Sequence, residues 1–160
     1  MSDINIKQII HEELNILVDL FYYMEKLKDG IVNNEKVNTL NIYVSKISEN
    51  ALVLSKTEKQ RIDLFEKFSM ENNIKNNFNS FIEYFSDKDI EVVNSLKLLS
   101  EKLIDISTIN NTLKELLKAR IEYNDILIKL YMEPKNNLPV YNKNGVYNNS
   151  LNQSKTNWQG

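Results

Sequence analysis

The chain has no cysteine among its 160 residues, so disulfides, thiolate metal sites and thiol nucleophiles are excluded. Histidine occurs once, at His11, and glycine and proline are scarce at three and two. A single histidine cannot supply a zincin helix or the paired Glu-x-x-His of a di-iron bundle. Three glycines leave no room for a phosphate-cradling loop, a nucleophile elbow or a dinucleotide fingerprint. The first proline is Pro134, so nothing punctuates the first 130 residues as a sheet protein requires. Together these absences predict an all-helical body with no cofactor, no metal and no enzymatic chemistry. Carboxylates such as Asp19, Glu25 and Glu58 are scattered as they are on any helix surface.

Charge and hydropathy narrow the class further. Lysine plus arginine number 20 against 22 acids, a net charge of −2 with both signs interspersed. From Glu133 onward Lys135, Lys143 and Lys155 oppose one acid, a net of +2 that leaves −4 on the body. Neither part can neutralise many phosphates, and no nucleic-acid partner is expected. The N-terminus, Met1-Ser2-Asp3-Ile4-Asn5, lacks a basic stretch followed by an apolar one and does not read as a signal peptide. The most apolar run, residues 16–24, is broken by Asp19 and far too short to span a bilayer. A cytoplasmic protein without membrane insertion is expected, and the sequons at Asn110, Asn148 and Asn152 carry no weight there.

What is present is helical periodicity. The first helix is predicted over about residues 3–29, with Ile10, Leu14, Leu17, Phe21 and Met24 alternating steps of four and three and Ile9, Ile16, Leu20 and Leu27 beside them. That width suits a bundle rather than a two-stranded seam. Gly30 and Asn33-Asn34 are placed to end it, with Asn34 as cap of the next helix and Ile31 still on the first stripe. A second helix over about residues 35–68 carries an unbroken seam of Val37, Leu40, Val44, Ile47, Ala51, Leu54, Glu58, Arg61, Phe65 and Phe68, roughly 50 Å long. Glu58 and Arg61 stand in it where apolar residues belong, either as a structural polar pair fixing register or as a contact to a partner.

Residues 72–77 form a polar break. A short amphipathic helix follows, with Ile74, Phe78, Phe81, Ile82 and Phe85 reading as a lid over one end of the long helices or as an exposed docking patch. Ser86-Asp87-Lys88-Asp89 has the spacing of a capping box with Ser86 as cap, and Glu91 complements the dipole of the next first turn. The last helix should reach about Met132 along Leu96, Leu99, Leu103, Ile106, Asn110, Leu113, Leu117, Arg120, Asn124, Leu127 and Tyr131. From Asn110 onward this stripe admits polar residues, while Ile121, Tyr123, Ile126, Ile128 and Leu130 place apolar groups on several faces. Such a helix end either enters a wider bundle or binds a partner.

After Pro134 the dispersed Val140, Tyr141, Val146, Tyr147 and Trp158 are too few to offset the ordering of nearly thirty residues. The domains expected are therefore a helical bundle over residues 1–132 and a flexible tail over 133–160. In full, the expectation is an elongated antiparallel hairpin or bundle of three long helices, plus the short amphipathic one, with a disordered tail.

Four features occur in a fixed order: a long Leu-rich helix, a turn at Ile31-Val32-Asn33-Asn34-Glu35-Lys36-Val37-Asn38-Thr39-Leu40, the Glu58-Lys59-Gln60-Arg61 element, and a third long helix leading to Tyr141-Asn142-Lys143-Asn144-Gly145. This layout resembles FlgN, the bacterial flagellar type III export chaperone family. The family's Asn shortly before a Leu-Leu pair has no counterpart here, since Leu113 stands at that point before Leu116-Leu117. The resemblance implies a cytoplasmic chaperone that binds flagellar hook-filament junction (hook-associated) proteins before export and delivers them to the export apparatus, as a monomer or small homo-oligomer. In that reading Tyr123, Ile126, Leu127, Leu130 and Tyr131 face a client helix, and Val140, Tyr141, Gly145, Val146 and Tyr147 order against the client or the export gate. A generic coiled-coil adaptor or scaffold uses the same heptads without an export role, and a flagellar regulator acting by sequestration differs only in its partner.

Overall fold

A computed structural model describes residues 2–132, 140–141 and 147–148. In chain order the elements are α1 (Ser2–Val32), α2 (Val37–Asn72), α3 (Phe78–Phe85), α4 (Ile90–Met132), β1 (Val140–Tyr141) and β2 (Tyr147–Asn148). The body is all-α, with three long helices and the short amphipathic one that the apolar periods predict. Two compact units are distinguished, Met1–Leu116 and Leu117–Gly160.

Within the first unit α1 is the central helix. It runs antiparallel to α2, so that Gly30 meets Leu40 near one end and Glu13 meets Arg61 towards the other. Against α4 it runs parallel: Lys7 pairs with Glu91, and Lys102 lies over the Phe21 ring at 5.3 Å. Both stripes of α1 are consumed by this arrangement. Ile6, Ile9, Ile10, Leu14 and Leu17 join Phe65, Phe68, Phe81, Phe85, Val92, Val93, Leu96 and Leu99 in one buried cluster. Leu20, Met24, Leu27 and Ile31 join Ile109 and Leu113 in a second. Each such side chain contributes about 1.5–3 kcal/mol on burial, so a helix lined with nine of them needs no favourable propensity to hold its place.

The punctuation differs in detail from the sequence expectation. Helix α1 passes through Gly30 and ends at Val32, and Asn34 adopts a left-handed conformation (φ 53°). Asn34 N donates to Ile31 O at 3.3 Å and Glu35 N to Gly30 O at 2.9 Å, which is a Schellman termination. Asn34 thus closes α1 instead of capping α2, whose N-cap is Lys36 without a side-chain hydrogen bond. Gly30 serves packing rather than chain reversal: a Cβ there would sit 2.7 Å from Leu40 Cδ2 and 3.2 Å from Glu35 Oε2. Helix α2 ends in the same manner, with Asn73 left-handed and Ile74 N donating to Ser69 O at 3.0 Å.

The Phe-rich α3 is core and not an exposed patch. Asn77 caps it by accepting from Ser80 N at 2.9 Å, and Phe81 and Phe85 are buried. Phe81 stacks on Phe65 with ring centroids 4.4 Å apart, and Phe85 on Phe68 at 5.5 Å. At the start of α4 the cap is Asp89, whose Oδ1 accepts from Glu91 N at 3.0 Å and Val92 N at 3.3 Å. Ser86 instead donates back to Ile82 O at 2.7 Å, finishing α3. Four residues separate the two helices, and Ser86, the first of them, stands too early to reach the first free amides of α4. Asp89→Ala is therefore expected to lose about 1 kcal/mol and Ser86→Ala only a small part of that, measured by urea denaturation of the two variants.

Of the tail, four residues are described. Val140 pairs with Asn148 and Tyr141 with Tyr147 in a two-stranded antiparallel ladder. The expectation of disorder otherwise lies outside the described residues.

Candidate functional site

The end of α4, residues 117–130, carries the densest run of exposed apolar side chains among the described residues. Leu117, Ile121, Tyr123, Ile126, Ile128 and Leu130 are between 44 % and 64 % exposed, and Leu127 is half-buried. At about 3.6 residues per turn, Leu117, Ile121 and Ile128 fall on one side of the helix and Tyr123, Ile126 and Leu130 on another. Arg120, Asn124 and Leu127 lie between the two groups. Lys118, Glu122, Asp125 and Lys129 share the remaining side and keep the segment wettable. An α-helix apolar over more than half its circumference can be embraced by a partner or can insert between two partner helices.

Of the residues expected to bind, Tyr123, Ile126, Leu127 and Leu130 are thus brought together on consecutive turns of one helix. Tyr131 continues that helix, and its side chain lies outside the described residues. Val140, Tyr141 and Tyr147 fall in β1 and β2, where Tyr141 and Tyr147 are register partners. Gly145 and Val146 lie outside the described residues. The Tyr-x-x-x-Gly element accordingly begins on β1 and runs towards β2.

Helix α2 supplies a second exposed surface. The seam read from the sequence is fully used only at its C-terminal end, where Arg61, Phe65 and Phe68 are buried. Its earlier members Val37 and Val44 are 66 % and 46 % exposed, Ala51 is exposed, and Leu52 and Val53 stand beside them. Sequence periodicity marked this face as interior because a heptad seam has the same pattern whether its partner is in the same chain or another.

The polar pair expected at Glu58 and Arg61 acquires a member the sequence reading missed. Arg61 Nε donates to Glu13 Oε2 at 2.5 Å, while Glu58 Oε1 stands 3.8 Å from Arg61 Nη2. Glu13 is fully buried and Arg61 nearly so, whereas the Glu58 side chain is 45 % exposed. The Arg61 guanidinium carbon lies 5.4 Å from the Phe65 ring centre and 5.5 Å from that of Phe78, two cation–π contacts in a desolvated place with rings set edge to face. Burial pushes the Glu13 carboxyl above the usual carboxylate range. The Arg61 hydrogen bond and charge pull it down, and the nearby Glu58 charge pushes it up again. One signal in the sequence pointed to Glu13: it stands three residues after Ile10 and four before Leu17, inside the apolar stripe.

Lys7, Gln8, His11, Glu91, Asn94 and Ser95 line an open cleft of about 670 Å³ between α1 and α4. His11 is exposed at its rim. Among the described residues no group of His, Asp and Glu is arranged to hold a metal ion, and no helix is long and apolar enough to cross a membrane.

No family model matches the chain, and no solved structure matches it. Among curated proteins it is similar to the heat-inducible transcription repressor HrcA of Mesomycoplasma hyopneumoniae, in strains 7448, J and 232. The identity is 28 % over 123 residues, covering 74 % of this chain and 33 % of each relative. The chain thus spans about a third of the length of the curated relatives it matches.

Proposed function

We propose that this protein is a cytoplasmic chaperone that binds the terminal helical segments of flagellar hook-filament junction proteins, keeps them from assembling early and delivers them to the type III export apparatus. The observation that carries the proposal is the exposed apolar end of α4. Terminal helices of an axial protein expose apolar stripes until they assemble, and an exposed apolar helix is a matching surface for them. Tyr123, Ile126, Leu127, Leu130 and Tyr131 form the primary contact. The tail, through Val140, Tyr141, Gly145, Val146 and Tyr147, orders on the client or on a component of the export gate. Ordering a tail consumes part of the binding free energy and keeps the complex releasable, which suits delivery. The ladder linking Tyr141 to Tyr147 limits that loss by setting the register of the two tyrosine positions beforehand.

Removal of residues 133–160 is expected to leave helicity and melting nearly unchanged and to weaken client binding. Titration calorimetry against the terminal helical segment of a hook-associated protein measures this, and unchanged affinity would remove the tail from the mechanism.

The exposed half of the α2 seam favours a second reading, an adaptor or scaffold that pairs through α2 without an export role. Light scattering separates the two: a stable high-order oligomer without client supports the scaffold, a monomer or small dimer the chaperone. Transcriptional repression, which the name of the similar repressor raises, is poorly served by a chain of net charge −2 with no basic stripe.

A further inference from the structure

The layer formed by Glu13, Arg61 and α3 has a property that neither a static ion pair nor a plain apolar core would have. Glu13 is fully buried, and its Oε1 meets no donor among the described residues. Its other oxygen is held by Arg61, and the outer wall of Arg61 is aromatic: Phe65 from α2 and Phe78, the first residue of α3. Phe81 of α3 stacks on Phe65 in turn. The two-turn helix α3 therefore covers Arg61 on the side that Phe78 occupies, with the half-exposed Glu58 on another, and Glu13 lies behind Arg61. The charges acting on Glu13 are both on α2, Arg61 and Glu58. From α3 and α4 this core receives apolar groups, among them Phe81, Val92, Leu96 and Leu99.

We propose that Glu13 is a proton-operated latch on α3: with its carboxyl neutral the aromatic lid stays shut over Arg61, and with its carboxyl ionised the lid opens to let water reach the orphaned oxygen. An ionised carboxylate with one unpaired oxygen is costly to keep dry, so any opening that hydrates it is favoured by ionisation. The neutral acid loses little by burial and still accepts from Arg61, whose charge keeps the half-exposed Glu58 carboxylate 3.8 Å away, so protonation favours the closed state. The direction in which burial moves the Glu13 carboxyl agrees with this. Opening uncovers Phe68, Phe81 and Phe85, three rings otherwise wholly enclosed. The latch does not depend on the export role.

Native-state hydrogen exchange of the α3 amides, read by mass spectrometry in the full chain and divided by intrinsic rates, tests it. His11→Asn is present in every sample so that the exposed histidine on α1 makes no contribution. Opening of α3 should rise about three-fold or more with pH through the titration of Glu13, while amides in the middle of α1 should not follow. Glu13→Gln should abolish the pH dependence, and Glu58→Gln, at a half-exposed site, should retain it. A flat profile in the otherwise unmutated chain, an equal response of α1 and α3, or an unaltered dependence in Glu13→Gln each overturns the latch. The profile of the unmutated pair decides the matter even if Glu13→Gln folds poorly.

Discussion

Arg61→Ala should lower the unfolding free energy by about 3–5 kcal/mol, the range for removing one partner of a buried ion pair. The loss has three sources in this protein. The Glu13 carboxylate is left buried without its donor. The cation–π contacts with Phe65 and Phe78 vanish, and a cavity opens beneath α3. Equilibrium denaturation in urea measures the change. The double replacement Glu13→Leu with Arg61→Met should recover most of it, because apolar residues of similar volume need neither charge nor donor. A double variant as unstable as Arg61→Ala would show that packing around the guanidinium matters more than the charge it compensates.

The pH dependence of stability follows from the same site. The folded-state value of Glu13 is raised, so the folded protein holds its proton to higher pH than the unfolded chain does. Its contribution is fully present below the ordinary carboxylate value and is lost as pH rises through the folded value. Unfolding free energy should therefore fall as pH rises through that window, and Glu13→Gln should remove this component. The exposed pairs, such as Lys7 with Glu91, have little influence by comparison, since water and salt screen charges at the surface.

The largest functional effect is expected on α4. Converting Tyr123, Ile126 and Leu130 together to Ser should abolish detectable binding of a hook-associated client helix without lowering stability. Each is more than half exposed in the free protein, so the fold loses little contact area. At an interface, anchors of this kind contribute about 2 kcal/mol or more each, roughly thirty-fold in affinity. Val44→Ser with Val53→Ser on α2, about half exposed, is the control and should leave affinity unchanged. Client binding that survives the α4 variant and fails in the α2 control would move the docking surface to α2.

How much of this was legible in the chain follows from the range over which each feature acts. The apolar periods gave all four helices, because amphipathic repetition is written in neighbouring residues. Near the ends the reading was coarser. Asn34 and Ser86 have the residue type and spacing to cap the helix ahead, yet each finishes the helix behind. Both residue types serve either end, and the choice depends on where the chain must turn for its helices to pack.

The exposed apolar surface was half legible. Loss of a clean stripe after Asn110 marked α4 as unusual, and the side chains of residues 117–130 are exposed as that pattern suggested. The exposed first half of α2 was invisible, since its seam is as regular as one that is filled.

The sequence by itself determined the helical class, the run of three long helices with a short amphipathic one between the second and third, and the absence of thiol chemistry. Those properties rest on composition and on spacings of three and four. Only the tertiary structure decided that Arg61 answers to Glu13, 48 residues away, with Glu58 as a more distant neighbour. It also decided that α3 closes over that pair and that α2 leaves Val37 and Val44 in the open. Helix periodicity sets which face a residue shares; it does not say which face of which helix lies opposite, and burial of a charge depends on that opposition.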